Sequence, residues 1–335
     1  MRAASSLCCL CAALGAGCTT YYDPCFQPAS LINDLRILAV RADPPEALYD
    51  PGQPPPLVLV QTLVVHPDPL YPPFILNARL CVPTQPEGPC PAGTPLFASR
   101  EGSQQAPPIL SIQVSQEMLK AALAADPLQG YGGVRVQLDL EVPTESSSAT
   151  ATKLLLFSPR IPGVEPNHAL ELNGVTLLIP QTAPQTLVPQ ESVSLDVGTN
   201  IGLLPVIGPG AGAEAAAEEY VTTDLSGKTV RLRERISYSF FTTPHLQYGL
   251  AGKPVAGADQ GVEPDLGVSP PSNGLTQMVA LSASMGRFWV VARDGRGAVA
   301  WSVFGFVNTD LRTCANPVLE QGPTNHCSNL ELTCG

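Results

Sequence analysis

Apolar positions along this chain recur with the two-residue period of strands, in short runs cut by proline, glycine and asparagine. Val134–Val142 (VRVQLDLEV) is the cleanest case, with valines and leucines on one face. Asp34–Arg41, closed by Pro44-Pro45, and Leu57–Val65, Phe74–Val82 and Lys153–Ser158 read as further strands of a first series. One helix is expected at Gln116–Ala125, capped by Ser115 and ended by Asp126-Pro127. Pro143–Thr152 (PTESSSATAT) is a polar, low-complexity hairpin excursion, and Pro159–Pro166 (PRIPGVEP) is the better domain boundary.

A second series follows. Val175–Ile179, Ser192–Val197, Thr229–Thr242, Thr276–Ser282, Arg287–Arg293 and Ala298–Val307 are its strand candidates. The last two flank Asp294-Gly295-Arg296-Gly297, and Asp-Gly between β-favouring runs is the strongest hairpin signal in the chain. Pro205–Gly212 and Leu250–Asn273 read as flexible loops, and Ala213–Glu219 as a short helical turn. Each series opens with a strand, a proline-rich corner and a second strand. The expected fold is all-β: two immunoglobulin-like β-sandwich domains with irregular loops and one short helix. The expected organisation is a signal peptide at 1–17, a lipidated N-terminus and tether at 18–30, sandwiches at 31–160 and 167–308, and a cysteine-containing tail at 309–335.

Composition supports this picture. Of 335 residues 44% are hydrophobic and only 14% charged, enough apolar material for a core, while 36 prolines and 29 glycines fit many turns between short strands. The net charge is −11, and since Arg2 is the one charge in residues 1–17, the remainder carries −12. With no basic run, nucleic acid is excluded as a partner, and so is a polybasic grip on anionic lipid.

Membrane attachment would therefore need another device, and the N-terminus offers one. Residues 1–18 read MRAASSLCCLCAALGAGC: one positive residue, an apolar stretch from Leu7 to Leu14, then Gly15, Ala16 and Gly17 before Cys18. This is the pattern of an export signal, too short to span a bilayer. Ending on cysteine, it is similar to a bacterial lipobox, although Leu14 stands four residues before Cys18 and the usual position three before is Gly15. Cys18 is the expected lipidation site, carrying acyl chains as the anchor. The other reading is an ordinary secretory signal with Cys18 as a thiol.

Cys8, Cys9 and Cys11 fall inside the signal. Cys25, Cys81, Cys90, Cys314, Cys327 and Cys334 remain, an even number in an exported chain, and are the disulfide candidates. Cys81 and Cys90 flank the turn-rich VPTQPEGP and are expected to pair; the other four leave three pairings open. With no CxxC after residue 18 and only His326 beside Cys327, a zinc site is not expected.

No catalytic constellation emerges. The four histidines are His66, His168, His245 and His326, and neither GxSxG nor HExxH occurs. Ser226-Gly227-Lys228-Thr229 imitates the end of a phosphate loop, but Thr222 stands where that motif needs glycine and a strand follows where it needs a helix. Asp259–Asp265 reads as a solvated acidic loop rather than a calcium site. Trp289 and Trp301, one on each arm of the hairpin, could stack on a sugar, though apolar neighbours favour packing. No cofactor or metal is expected.

DLRILAVRADPPE (34–46), KLLLFSPRIPGVEPNHALEL (153–172) and RFWVVARDGRGAVAW (287–301) resemble segments of exported lipoproteins of myxobacterial type. That resemblance implies envelope localisation and immunoglobulin-like domains, and carries no activity with it. The expectation is a non-enzymatic envelope lipoprotein, anchored in the lipid bilayer at the outer membrane, with an envelope protein or a glycan as partner. A carbohydrate-binding surface protein and a secreted hydrolase are the alternatives.

Overall fold

The computed structural model describes residues 30–309 apart from 51, 84–87, 146, 162–163, 209–216, 224–227, 244–245, 251–252, 255–275 and 281–283. All belong to one compact unit, Ala29–Pro317. The expected signal, the tether up to residue 29, Cys18, Cys25, Cys314, Cys327, Cys334, His245, His326, the loop at 259–265 and the tail from 310 onward lie outside the described residues.

The first series gives β1 (Arg36–Asp43), β2 (Glu46–Tyr49), β3 (Leu57–Val65), β4 (Phe74–Cys81), β5 (Leu96–Gly102), β6 (Ile109–Gln113), α1 (Gln116–Ala125), β7 (Val134–Pro143) and β8 (Ser148–Pro159). They form a three-stranded sheet, β1-β3-β6, and a five-stranded one, β2-β8-β7-β4-β5. Every pairing is antiparallel except β2 with β8. The chain changes sheet between β1 and β2 at Pro44-Pro45, where neither residue has an N–H to continue the ladder. The two sheets enclose one core. Val134, Val136, Leu138, Leu140 and Val142, the apolar face of β7, run through it. Helix α1 starts where Ser115 Oγ accepts from Met118 N (3.1 Å) and adds Leu119 and Ala122 to that core.

The second series gives β9 (Leu172–Leu178), β10 (Gln185–Leu187), β11 (Ser192–Asp196), β12 (Asn200–Ile207), β13 (Glu219–Thr223), β14 (Thr229–Arg233), β15 (Ser237–Thr242), β16 (Leu246–Leu250), β17 (Lys253–Pro254), β18 (Thr276–Ala280), β19 (Ser284–Arg293) and β20 (Val299–Thr309). The sheets are β10-β9-β12-β18-β16-β17 and β11-β20-β19-β15, with β13-β14 as a separate pair. Again one early strand, β11, lies parallel to the last, β20. The orders β9-β12-β18-β16 and β15-β19-β20 are those of an immunoglobulin-type sandwich; β1-β3-β6 and β5-β4-β7-β8 repeat the arrangement in the first. The fold is all-β, built of immunoglobulin-like sandwiches.

The structure departs from the sequence reading in several places: Ser148–Thr152, expected as a polar excursion, opens β8, and Lys253–Pro254, expected as loop, forms β17. Thr229–Thr242 is two strands, not one: β14 pairs with β13, and β15 joins β19 after a break at 234–236. The break turns Glu234 and Ile236 inward. Residues 205–207, expected as loop, continue β12. Pro205 pairs with Val175 of β9, but the β18 ladder on its other side stops at Leu203, so its missing N–H interrupts nothing. Glu219, placed in a helical turn, opens β13.

Candidate functional site at the junction of the two sandwiches

A third apolar cluster belongs to neither sandwich alone. On β19 and β20, residues alternate between the second core and the outer face. Phe288, Val290 and Phe304 point inward, while Trp289, Val291 and Val299 point outward. The outer set meets Leu38, Ala39, Leu63 and Val65 from β1 and β3, together with Ile32. The outer face of one sheet of the first sandwich is thus covered by the outer face of a sheet of the second. Trp289 is 2% exposed, so its ring is covered rather than open to a ligand. Trp301 is half-buried at the margin, with the Arg41 guanidinium 5.1 Å from the centre of its ring and Arg41 hydrogen-bonded to Gln61. Both tryptophans therefore serve the contact between sandwiches.

Beside this cluster lies a buried polar assembly built on the β19–β20 turn. Asp294 is 2% exposed, and its Oδ1 accepts from the backbone N–H groups of Arg296 (2.8 Å), Gly297 (2.8 Å) and Ala298 (3.0 Å). The turn needs positive φ at Gly295 (78°) and Gly297 (125°), which explains the Asp-Gly-x-Gly sequence. Asp294 Oδ2 accepts from Asn167 Nδ2 at 2.7 Å, tying the turn to the segment between the sandwiches.

Shaped in this way, the turn carries Arg296 into the junction. Its Nη1 donates to Glu234 Oε1 of the second sandwich (2.9 Å), and its Nη2 to Glu46 Oε2 on β2 of the first (3.1 Å). The guanidinium carbon sits 4.3 Å from the centre of the Tyr220 ring. Glu46 Oε2 also accepts from Asn167 N at 2.8 Å. From the first sandwich, Lys153 Nζ on β8 donates to Gly297 O at 2.6 Å. Arg293 donates to Ser239 Oγ at 2.8 Å and across the junction to Leu38 O at 3.2 Å. Around the turn Glu46, Glu234 and Asp294 thus face Arg293, Arg296 and Lys153, leaving formal charge balanced.

Burial leaves its mark on two of these groups. Desolvation pushes the Lys153 ammonium down to about 8; the Arg293 charge lowers it further and Asp294 opposes the shift. Glu234 is raised above the usual carboxylate range, first by desolvation and then by the charges of Asp294 and Glu218, against hydrogen bonds from the Glu218 N–H and Arg296. A cleft of about 370 Å³ runs between β1, β8 and the turn, with Lys153, Arg293 and Asp294 on its wall. Chemically, the arrangement is a lock: a forked cation with both carboxylates satisfied, and no nucleophile paired with a base. Among the described residues no group of three or more His, Cys, Asp or Glu side chains is placed to hold a metal.

Of the remaining sequence candidates, His168 borders the junction, next to Asn167 and paired with the Glu218 whose N–H donates to Glu234, and the other described ones lie apart from it. A disulfide joins Cys81 to Cys90 across the loop after β4. His66, just past the end of β3, lies against Tyr71 with the rings tilted by 31° and their centres 4.1 Å apart, and His168 pairs with Glu218 at 2.9 Å. Sequence reasoning found the Asp294 hairpin but not Glu46, Lys153, Asn167 or Glu234. The signal for Glu234 was a lone acid in an otherwise apolar and basic strand run.

No family model and no curated protein matches the chain. The solved structures similar to the chain include the following three. A chimeric titin Z1Z2-Z1Z2 tandem functionalised with a GRGDS peptide from fibronectin is 12% identical, covers 82% of this chain and 99% of its own, and has a TM-score of 0.22. The two tandem V-type regions of VCBP3, a v-region-containing chitin binding protein, are 13% identical over 81% of this chain and 99% of theirs, TM-score 0.29. Fibronectin(III)-like modules of Clostridium thermocellum CbhA are 10% identical over 86% and 100%, TM-score 0.20. At such scores the likenesses carry no functional argument, and the immunoglobulin-like assignment stands on the strand orders given above.

Proposed function

We propose that the chain is a lipoprotein of the bacterial cell envelope, held at the outer membrane through an acylated Cys18, and that its two sandwiches act together as one non-enzymatic binding or structural module. The observation that carries the second half is the junction: Trp289 buried between sandwiches and Arg296 shared by Glu46 and Glu234. Two sandwiches held in one orientation present their loops to a partner already ordered, which lowers the entropic cost of association. Confinement at a membrane raises the effective concentration, so a weak contact suffices. The first half rests on the N-terminal sequence alone.

The test is metabolic labelling with palmitate, followed by mass spectrometry of the mature N-terminus. Wild-type protein takes up label and begins at an acylated Cys18. Cys18→Ser loses the label and leaves the membrane fraction. Membrane retention of an unlabelled Cys18→Ser protein contradicts the anchor.

A further inference from the structure

The β3–β4 loop reads His66-Pro67-Asp68-Pro69-Leu70-Tyr71-Pro72-Pro73, and Leu70 at its tip is 86% exposed, more than any other large apolar residue described. A single exposed leucine is ordinary on a protein surface. This one is braced. Gln104 spans the loop, its Oε1 accepting from His66 N (2.8 Å) and its Nε2 donating to Asp68 O (2.8 Å). Gln105 Nε2 donates to Pro69 O at 2.7 Å, and Leu70 N donates to Asp68 Oδ1 at 2.8 Å. The loop is therefore fixed by polar bonds from a neighbouring loop while its apolar tip gains no burial from the fold.

Its position gives the tip a partner. Arg36, where β1 begins, pairs with Val65, where β3 ends, so the loop and the N-terminal entry of the chain share one end of the sandwich. Ser30 and Ile32 are bonded to Thr242 only a few residues before Arg36. Ser30 lies twelve positions after Cys18 with eleven residues between them, a maximum reach of roughly 40 Å when extended. The same end carries Asp68, Glu101 and Glu145; its arginines are Arg36, paired with Asp34 at 2.6 Å, and Arg100. Its chemistry is apolar and mildly acidic, suited to an uncharged or zwitterionic lipid surface and unsuited to an anionic one.

We infer that this end of the first sandwich faces the bilayer and that Leu70 enters the interfacial region of the lipid, fixing how the anchored module stands on the membrane. The inference rests on the Cys18 anchor, because one leucine holds a lipid surface only when a tether keeps it there. The loop around Leu128, at the opposite end of the sandwich between α1 and β7, then points away from the membrane.

The test uses the full lipidated protein, reconstituted in vesicles of phosphatidylethanolamine and brominated phosphatidylcholine. A fluorescent amino acid is introduced by suppression at position 70 or, as control, at the half-exposed position 128. An interfacial depth of roughly 5–10 Å puts the probe at 70 within reach of the bromines, so it loses about half its emission while the probe at 128 loses none. Equal emission at both positions in protein that floats with the vesicles overturns the inference and leaves the anchor standing. A blue shift at 70 without bromine quenching reports a protein pocket and overturns the lipid assignment. Protein that does not float overturns the anchor, and the inference with it.

Discussion

Arg296, on the turn of the second sandwich, donates to Glu46, on the second strand of the first, at 3.1 Å, with both side chains largely withdrawn from solvent. The same guanidinium holds Glu234 at 2.9 Å. A single forked cation thus satisfies carboxylates from two sandwiches, a geometry lysine cannot reproduce. Buried ion pairs add little net stability when complete but leave stranded charge when broken.

Arg296→Ala is therefore expected to destabilise the protein by about 3–5 kcal/mol in urea denaturation. Arg296→Lys recovers only part of that loss, because it cannot reach both acids in one plane. Glu46→Gln combined with Arg296→Ala costs less than the sum of the two alone, since one of the two stranded carboxylates is gone while Glu234 remains.

Trp289→Ala empties the apolar cluster between the sandwiches and is expected to cost about 3–5 kcal/mol by the same measurement. Trp301→Ala, at a half-buried margin under Arg41, costs clearly less. Equal losses would show that the two rings are buried alike.

Lys153 sets a pH dependence. Its folded pKa, about 8 through desolvation, lies below the unfolded value of about 10.4. Between those values the unfolded chain binds the proton that the folded protein has given up, so stability rises with pH. Lys153 thus weighs against folding at neutral pH, and that burden fades as pH climbs from about 8 toward 10.4. In urea midpoints measured from pH 7 to 10, Lys153→Met is expected to show a flatter profile than wild type. Parallel profiles would place the ammonium in water.

The Cys81–Cys90 bond closes a short loop, with a sequence separation of 9. Loop-closure entropy assigns it about 2–3 kcal/mol. Reductant, or the Cys81→Ser/Cys90→Ser pair, lowers the urea midpoint accordingly, and an unchanged midpoint would show the loop is held by other contacts.

Much of the fold was legible in the sequence because period-two alternation reports which face is buried. β7 was readable for that reason, the helix from its Ser115 cap and Asp126-Pro127 stop, and the Asp294 turn from its Asp-Gly pair. β5 was not: most of it is exposed at a sheet edge, so Leu96–Gly102 shows no alternation to read. The junction was largely hidden. Leu63 and Val65 face outward on β3, where sequence predicts polar residues, and only the second sandwich makes apolar ones sensible there. Glu46 and Lys153 look like surface charges until Arg296 and Gly297 are brought to them from more than a hundred residues away.

Small-angle X-ray scattering of the protein in solution tests most directly whether the two sandwiches act as one body. A single fixed arrangement is expected to account for the wild-type curve, while Trp289→Ala/Arg296→Ala requires a spread of more extended shapes. A wild-type curve that itself demands separated, freely jointed sandwiches would contradict the account.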